Sequence, residues 1–214
     1  MELSWRLSYL YVYTLNIDTS MTSTLMQKET PTDFDIHPLI KDRWSPRSFS
    51  SKKVSRAAVN QLLEAMRWAP SAMNEQPWEV LVAQKGTKSH DTLAKTLAPG
   101  NQPWAPDAPV LLLVMARTTY GNGTTNHSAL YDLGLAVGNL SVEATHLGLS
   151  LHQIGGFDRI MARELFKFRE NLQPVVLIAI GYRESHETLP EALQQRELAP
   201  RKRKKIEEFA VVDF

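Results

Sequence analysis

The sequence of 214 residues contains no cysteine. This absence excludes disulfides, thiolate nucleophiles and cysteine metal ligands together. No apolar run approaches the roughly 18–20 residues that a membrane-spanning helix needs. The best candidate, residues 7–15, is short and contains Tyr, Ser and Thr, and no small-residue cleavage site clearly follows it. These absences favour a cytoplasmic protein.

Excess charge of either sign is also missing. The 24 basic and 23 acidic residues give a formal net charge of +1, so no global field attracts nucleic acid or membrane, and any anion site must be local. Hydrophobic content of 43% and charged content of 22% are ordinary for a soluble globular protein.

Several catalytic signatures are absent as well. There is no Gly-x-Ser-x-Gly elbow, Walker loop, Rossmann glycine fingerprint or His-Glu-x-x-His. Glu143 and His146 have the spacing of half a helical di-metal site, but a second copy is missing, and the six histidines show no ligand spacing. The sequence therefore predicts neither a metal centre nor a catalytic side-chain triad.

The alternation of apolar segments predicts the fold class. Strands are expected at 79–84, 110–116, 149–152 and 174–180, and helices at 36–41, 55–69, 91–97, 127–147 and 159–168. This pattern indicates a mixed α/β or an α+β domain with helices packed on a central sheet. Residues 1–34 differ in composition and predict a poorly ordered N-terminal extension before a domain of 35–214, with an added edge strand as the alternative.

The longest predicted helix, 127–147, carries Gly134 and Gly138 among its apolar positions. Glycine costs helix stability, so small residues here predict another backbone packed very close. We expect this helix to form both the core of the domain and a subunit interface.

The segment Arg43–Phe49 predicts a local anion site. Pro46 forbids a continuous helix and restricts Ser45, so the segment is a shaped turn. Arg43 and Arg47 present guanidinium groups on either side of the Ser45 hydroxyl, a combination suited to phosphate. A solvated surface turn is the alternative.

Two further segments supply uncharged polar groups. The loop Pro70–Trp78 offers Ser71, Asn74 and Gln76, whose hydroxyl and amide groups donate and accept hydrogen bonds and suit the edge of a flavin. The alternative is a loop whose amides satisfy its own backbone. The paired Gly155 and Gly156 would let main-chain groups approach a flat ring, or would simply form a strand-to-helix turn capped by Asp158.

The basic run Arg201–Lys205 has two interpretations. Five consecutive cations could bind nucleic acid, but no aromatic residues interleave them to stack bases. Arg201 and Arg203 also project to one side of an extended chain, where they could close over an anion held by Arg43 and Ser45.

In this order and spacing, these segments resemble the FMN-dependent nitroreductase family over roughly residues 36–212. The resemblance implies an α+β fold with a central mixed or antiparallel sheet flanked by helices. It also implies a homodimer with FMN as cofactor, NAD(P)H as reducing co-substrate and no metal. FMN-binding residues would be Arg43, Trp44, Ser45, Arg47, Pro70, Ser71, Ala72, Asn74, Gln76, Asn101, Gly155, Gly156, Arg201 and Arg203. The 70–76 loop would come from the partner chain, and Arg47 would lie near the pyrimidine side of the ring, where a cation favours two-electron reduction.

The resemblance further implies ping-pong hydride transfer through FMN N5 to nitroaromatic, quinone or related acceptors, with no obligate catalytic side chain. Ala72 replaces a serine common in the family, and the segment Thr118–Ser128 is short where many members carry a helical lid. Alternatives are dehydrogenation, dehalogenation or flavin breakdown on the same scaffold, or a nucleic-acid-binding module using Arg201–Lys205.

Overall fold

A computed structural model describes residues 28–213. Four strands form one sheet in the order β1-β2-β4-β3, and all three pairings are antiparallel. The strands are β1 (Trp78–Gln84), β2 (Val110–Arg117), β3 (Ser150–Ile154) and β4 (Leu172–Gly181). The predicted α+β class and antiparallel sheet are confirmed.

Residues 28–213 contain six α-helices. They are α1 (Pro38–Asp42), α2 (Arg56–Arg67), α3 (Lys88–Lys95), α4 (Ala129–His146), α5 (Arg159–Phe166) and α6 (Glu191–Leu198). The Ser55 hydroxyl accepts from the Ala58 N–H at 3.1 Å, so the predicted N-cap of α2 is confirmed. Helix α6 was not predicted, because its segment reads as a polar tail. None of the helices described is long and apolar enough to cross a membrane.

The two faces of the sheet bury separate apolar clusters, because successive residues of a strand point to opposite faces. On one face, Leu111 and Leu113 of β2 pack in a cluster with Trp104. On the other face, Leu112 and Val114 pack with residues of α2 and α4. The continuous apolar run of β2 therefore reflects burial on both sides, as in a central strand.

Helix α4 has one buried face and one exposed face. Leu133, Val137 and Leu140 are buried, whereas Leu130 is 50% exposed. A Cβ added at Gly134 or Gly138 would meet nothing within 4 Å. The close backbone neighbour expected at these glycines is therefore absent among residues 28–213.

Most of the predicted extension 1–34 lies outside the described residues. Of the part that is described, Lys28 Nζ donates to the Ala199 carbonyl at 2.8 Å and Thr30 Oγ1 donates to the Lys41 carbonyl at 2.6 Å. This segment thus contacts both α1 and the chain that follows α6.

Candidate functional site

The turn that carries the predicted anion ligands is fixed to the continuation of β4. The Ser50 N–H donates to the Tyr182 carbonyl at 2.9 Å, and the Glu184 N–H donates to the Ser48 carbonyl at 3.2 Å. An isolated antiparallel bridge also joins Phe49 to Arg183. The end of the 43–49 turn is therefore tied to the chain that continues β4.

Three guanidinium groups converge at this turn. Burial, and then the nearby cation of Arg203, lower the pKa of Arg43. Burial, and then Arg43 and Arg203, lower the pKa of Arg201. Arg43 Nη1 lies 3.5 Å from Ser45 Oγ. The structure thus brings together Arg43, Ser45, Arg201 and Arg203, and their mutual repulsion makes the cluster receptive to an anion.

The guanidinium of Arg201 has a second task. Its Nη1 donates to the Lys41 carbonyl at 2.7 Å and to the Thr30 hydroxyl, and its Nη2 donates to the Arg43 carbonyl at 2.9 Å. Within the cluster, Arg201 therefore fixes the backbone that carries Arg43, whereas Arg203 is exposed.

Trp44 lies among further cations. Lys28 Nζ is 4.8 Å and Arg183 Cζ 5.9 Å from the centroid of its indole ring. Its buried Nε1 has no hydrogen-bond partner among residues 28–213.

Asn101 and Gly156 are held in direct contact. Asn101 Nδ2 and the Ala98 N–H each donate to the Gly156 carbonyl at 3.0 Å. A Cβ at position 156 would lie 2.9 Å from Asn101 Nδ2, so only glycine fits without a shift of that amide. Gly155 and Gly156 are both exposed, which leaves their main chain accessible to a ligand.

The 70–76 loop bonds extensively to itself. Ser71 Oγ accepts from the Gln76 N–H at 3.1 Å, and Gln76 Nε2 donates to Asn74 Oδ1 at 3.1 Å. Met73, Asn74 and Gln76 all have positive φ, at 55°, 56° and 47°. Such left-handed conformations cost of order 1–3 kcal/mol each in non-glycine residues and collect at functional sites.

Two residues that the sequence analysis missed anchor this loop. Asp132, in the first turn of α4 and 1% exposed, accepts from the Ala72 N–H at 3.1 Å. Arg117, at the end of β2, donates to the Glu75 carbonyl at 2.9 Å.

Within a single chain, the 70–76 loop lies far from the 43–49 turn. Arg117 pairs with Leu172 at the start of β4, whereas Phe49 pairs with Arg183 beyond its end. At about 3.4 Å per residue, these points are on the order of 35 Å apart along the strand.

Known proteins share the fold of this chain. The nitroreductase family model matches residues 40–99 and 84–182, together more than half of the chain. The chain belongs to the nitroreductase family.

Three members illustrate the likeness. A solved structure described as an oxidoreductase containing FMN is 31% identical, with a TM-score of 0.81 over 88% of this chain and 96% of that one. A Methanothermobacter thermautotrophicus protein, provisionally named NADH dehydrogenase/NAD(P)H nitroreductase, is 26% identical over 85% of this chain and 89% of its own length. The Bacillus subtilis FMN reductase [NAD(P)H] is 31% identical over 54% of this chain and 52% of its own length.

In this member of the nitroreductase family, Arg47 is paired with a carboxylate that the sequence analysis missed. Glu197 of α6 accepts from the Arg47 N–H at 2.8 Å, and its other oxygen lies 3.5 Å from Arg47 Nη1. Arg47 Cζ is also 5.9 Å from the centroid of the Trp104 ring. The spacing of Leu193 and Glu197 on one helical face was the available signal, but a glutamate at such a position usually remains exposed.

His152 supports the turn from the sheet. Its ring centroid lies 4.5 Å from that of Trp104, and its Nδ1 is 3.0 Å from the Pro46 carbonyl. Burial lowers the pKa of His152 to about 4, so the ring is neutral at pH 7 and Nδ1–H donates to the carbonyl. This histidine is therefore a packing residue.

This burial predicts a pH-dependent stability. The unfolded state takes up a proton near pH 6.5 and the folded state only near pH 4, so stability falls as pH drops through this window. We expect His152→Gln to remove about 2 kcal/mol of the difference in unfolding free energy between pH 7 and pH 5. Urea unfolding of both proteins at the two pH values measures it, and equal pH dependence in wild type and variant would contradict it.

Proposed function

We propose that this nitroreductase-family member is an FMN-dependent NAD(P)H oxidoreductase and acts as a homodimer. The observation that carries the proposal is the convergence of Arg43, Ser45 and Arg203 beside the Arg201-braced turn. Relatives named for FMN and NAD(P)H support the same cofactor and reductant.

The residues fit the cofactor. The cation cluster suits the phosphate, because charge-assisted hydrogen bonds from guanidinium groups to phosphate are strong and geometrically specific. The exposed main chain at Gly155 and Gly156, with the Asn101 amide held beside it, suits the polar edge of the ring. Arg47 would supply positive charge to the pyrimidine side.

A second copy of the chain completes the site. Pro70, Ser71, Ala72, Asn74 and Gln76 lie at the far end of the sheet from the arginine turn, so they would reach FMN from the partner. The exposed face of α4, with Leu130, Tyr131, Gly134 and Gly138, is the surface through which we expect the copies to pack.

When bound, FMN would accept a hydride from NAD(P)H and pass the electrons to a nitroaromatic, quinone or related acceptor in ping-pong order. The protein binds and orients the flavin. The neutral, partly buried His152 keeps the 43–49 turn in place without acting as an acid or base. A narrow loop, closed by the Thr119–Thr125 bridge, joins β2 to α4. This loop offers little cover over a substrate, so we expect the protein to accept electron acceptors of many kinds.

An absorption spectrum tests the proposal. The purified protein should show bound flavin, lose the flavin absorbance with NAD(P)H under anaerobic conditions, and regain it with menadione or nitrofurazone. Protein that is colourless and takes up no added FMN would contradict the proposal.

Arg43→Gln should weaken FMN binding about 10- to 100-fold, because a hydrogen bond to a charged group contributes about 1.5–3 kcal/mol. Quenching of flavin fluorescence on titration gives the dissociation constants. Arg56→Gln, which removes an exposed arginine at the start of α2, is the matched control and should bind as the wild type does. Equal affinity of all three proteins would exclude Arg43 from the phosphate site.

A further inference from the structure

Glu197 is a buried carboxylate on helix α6, most of whose residues are polar. Its side chain is 3% exposed, and acidic groups are rarely buried to this extent unless they are paired. Oε1 accepts from the Arg47 N–H, whereas Oε2 lies 3.5 Å from Arg47 Nη1 and has no hydrogen-bond partner among residues 28–213. One carboxylate oxygen therefore fixes the backbone of Arg47 while the other faces its charge.

A second cation, Lys28, lies near Glu197 and Arg47. Burial, Arg47 and Arg201 each lower the pKa of Lys28, and Glu197 opposes them. The carboxylate thus interacts with two positive groups, Arg47 of the predicted cofactor site and Lys28, and its negative charge partly offsets theirs.

We propose that Glu197 is a positioning residue that holds Arg47 and, by offsetting its charge, sets the reduction potential of the bound flavin. This inference rests on the proposed function. The flavin gains negative charge on reduction, so a more positive site favours the reduced form, and a buried counter-charge makes reduction less favourable. The effect is large because water screens a buried pair poorly.

Glu197→Gln separates charge from shape. The glutamine retains an oxygen that can accept from the Arg47 N–H but removes the negative charge. We expect the equilibrium constant for two-electron reduction of the bound flavin to rise about tenfold, which is about 30 mV in the positive direction. Dye-equilibrated reductive titration at fixed pH measures this potential without turnover.

Three further variants complete the design. Glu197→Asp keeps the charge but shortens the reach, so it should lower the melting temperature and leave the potential near that of the wild type. The double variant Arg47→Gln/Glu197→Gln removes both charges at similar volume, a replacement that folded proteins often tolerate. The equilibrium constant for two-electron reduction of the flavin in this double variant should lie within about threefold of the wild-type value. Glu191→Gln removes an exposed carboxylate from the same helix and should change neither the reduction potential nor the melting temperature.

The outcomes distinguish the proposed function from the proposed role of Glu197. A wild-type protein that takes up no FMN overturns the proposed function, and this inference with it. FMN that binds normally to Glu197→Gln with an unchanged potential, beside a lowered melting temperature, overturns this inference alone and leaves Glu197 a purely structural brace. If Glu197→Gln does not fold, the Glu197→Asp and double variants decide: potentials that follow side-chain length rather than net charge contradict the proposal.

Discussion

Gly138→Arg is expected to convert the protein into a monomer that no longer retains FMN. In the isolated chain this position is open, since a Cβ there meets nothing within 4 Å. Arginine also forms helix better than glycine by nearly 1 kcal/mol. The single chain should therefore be slightly stabilised, and any loss must come from a second copy packed against the exposed face of α4. Light scattering after size-exclusion chromatography gives the mass, and flavin absorbance gives the FMN content.

The control for this experiment is Gly121→Arg. Gly121 lies in the loop between β2 and α4, is exposed, and also has open space around a Cβ. The same side chain there should leave both mass and flavin content unchanged. A Gly138→Arg protein that remains dimeric and yellow would show that the copies meet elsewhere.

Trp104→Ala is expected to destabilise the protein by about 3–5 kcal/mol, the usual cost of removing a large aromatic side chain from a core. Trp104 is 1% exposed and lies between Phe49, at 6.4 Å between ring centroids, and His152, at 4.5 Å. For a protein of this size, the loss corresponds to a fall of roughly 10 °C in melting temperature. Thermal unfolding followed by circular dichroism measures it.

Trp104→Phe is the informative comparison. The buried Nε1 of Trp104 has no hydrogen-bond partner in the described part of the chain, and leaving such a donor unpaired costs about 1–3 kcal/mol. Phenylalanine removes that donor and keeps much of the aromatic contact, so we expect a loss well below that of the alanine variant. Equal losses in the two variants would show that the indole makes a contact that phenyl cannot replace.

The elements that were predictable depend on local patterns. The apolar run of β2 and the Ser55 cap of α2 are visible within a few residues, and both form as expected. The grouping of Arg43, Ser45, Arg201 and Arg203 was one of two interpretations of the basic run, and the family resemblance favoured it, since no local pattern links positions so far apart.

What the sequence could not predict depends on distant pairing. Glu197 is buried only because Arg47, 150 residues earlier, provides a backbone donor and a charge. Asp132 looked like a first-turn acid of a long helix, yet it anchors a loop 60 residues away. The inward direction of Arg201 is of the same kind: a basic run reads as solvated until the carbonyl groups that it meets are known.

The bond from Arg201 Nη2 to the Arg43 carbonyl closes 158 residues of chain. At 5–20 residues per second, a ribosome makes Arg201 roughly 8 to 30 seconds after Arg43, when every strand of the sheet has already been synthesised. The basic segment must then dock onto a turn made long before it. The proposed phosphate site therefore cannot be complete until Arg201 has been made and has reached the Arg43 carbonyl, so we expect cofactor loading to be a late event in the life of each molecule.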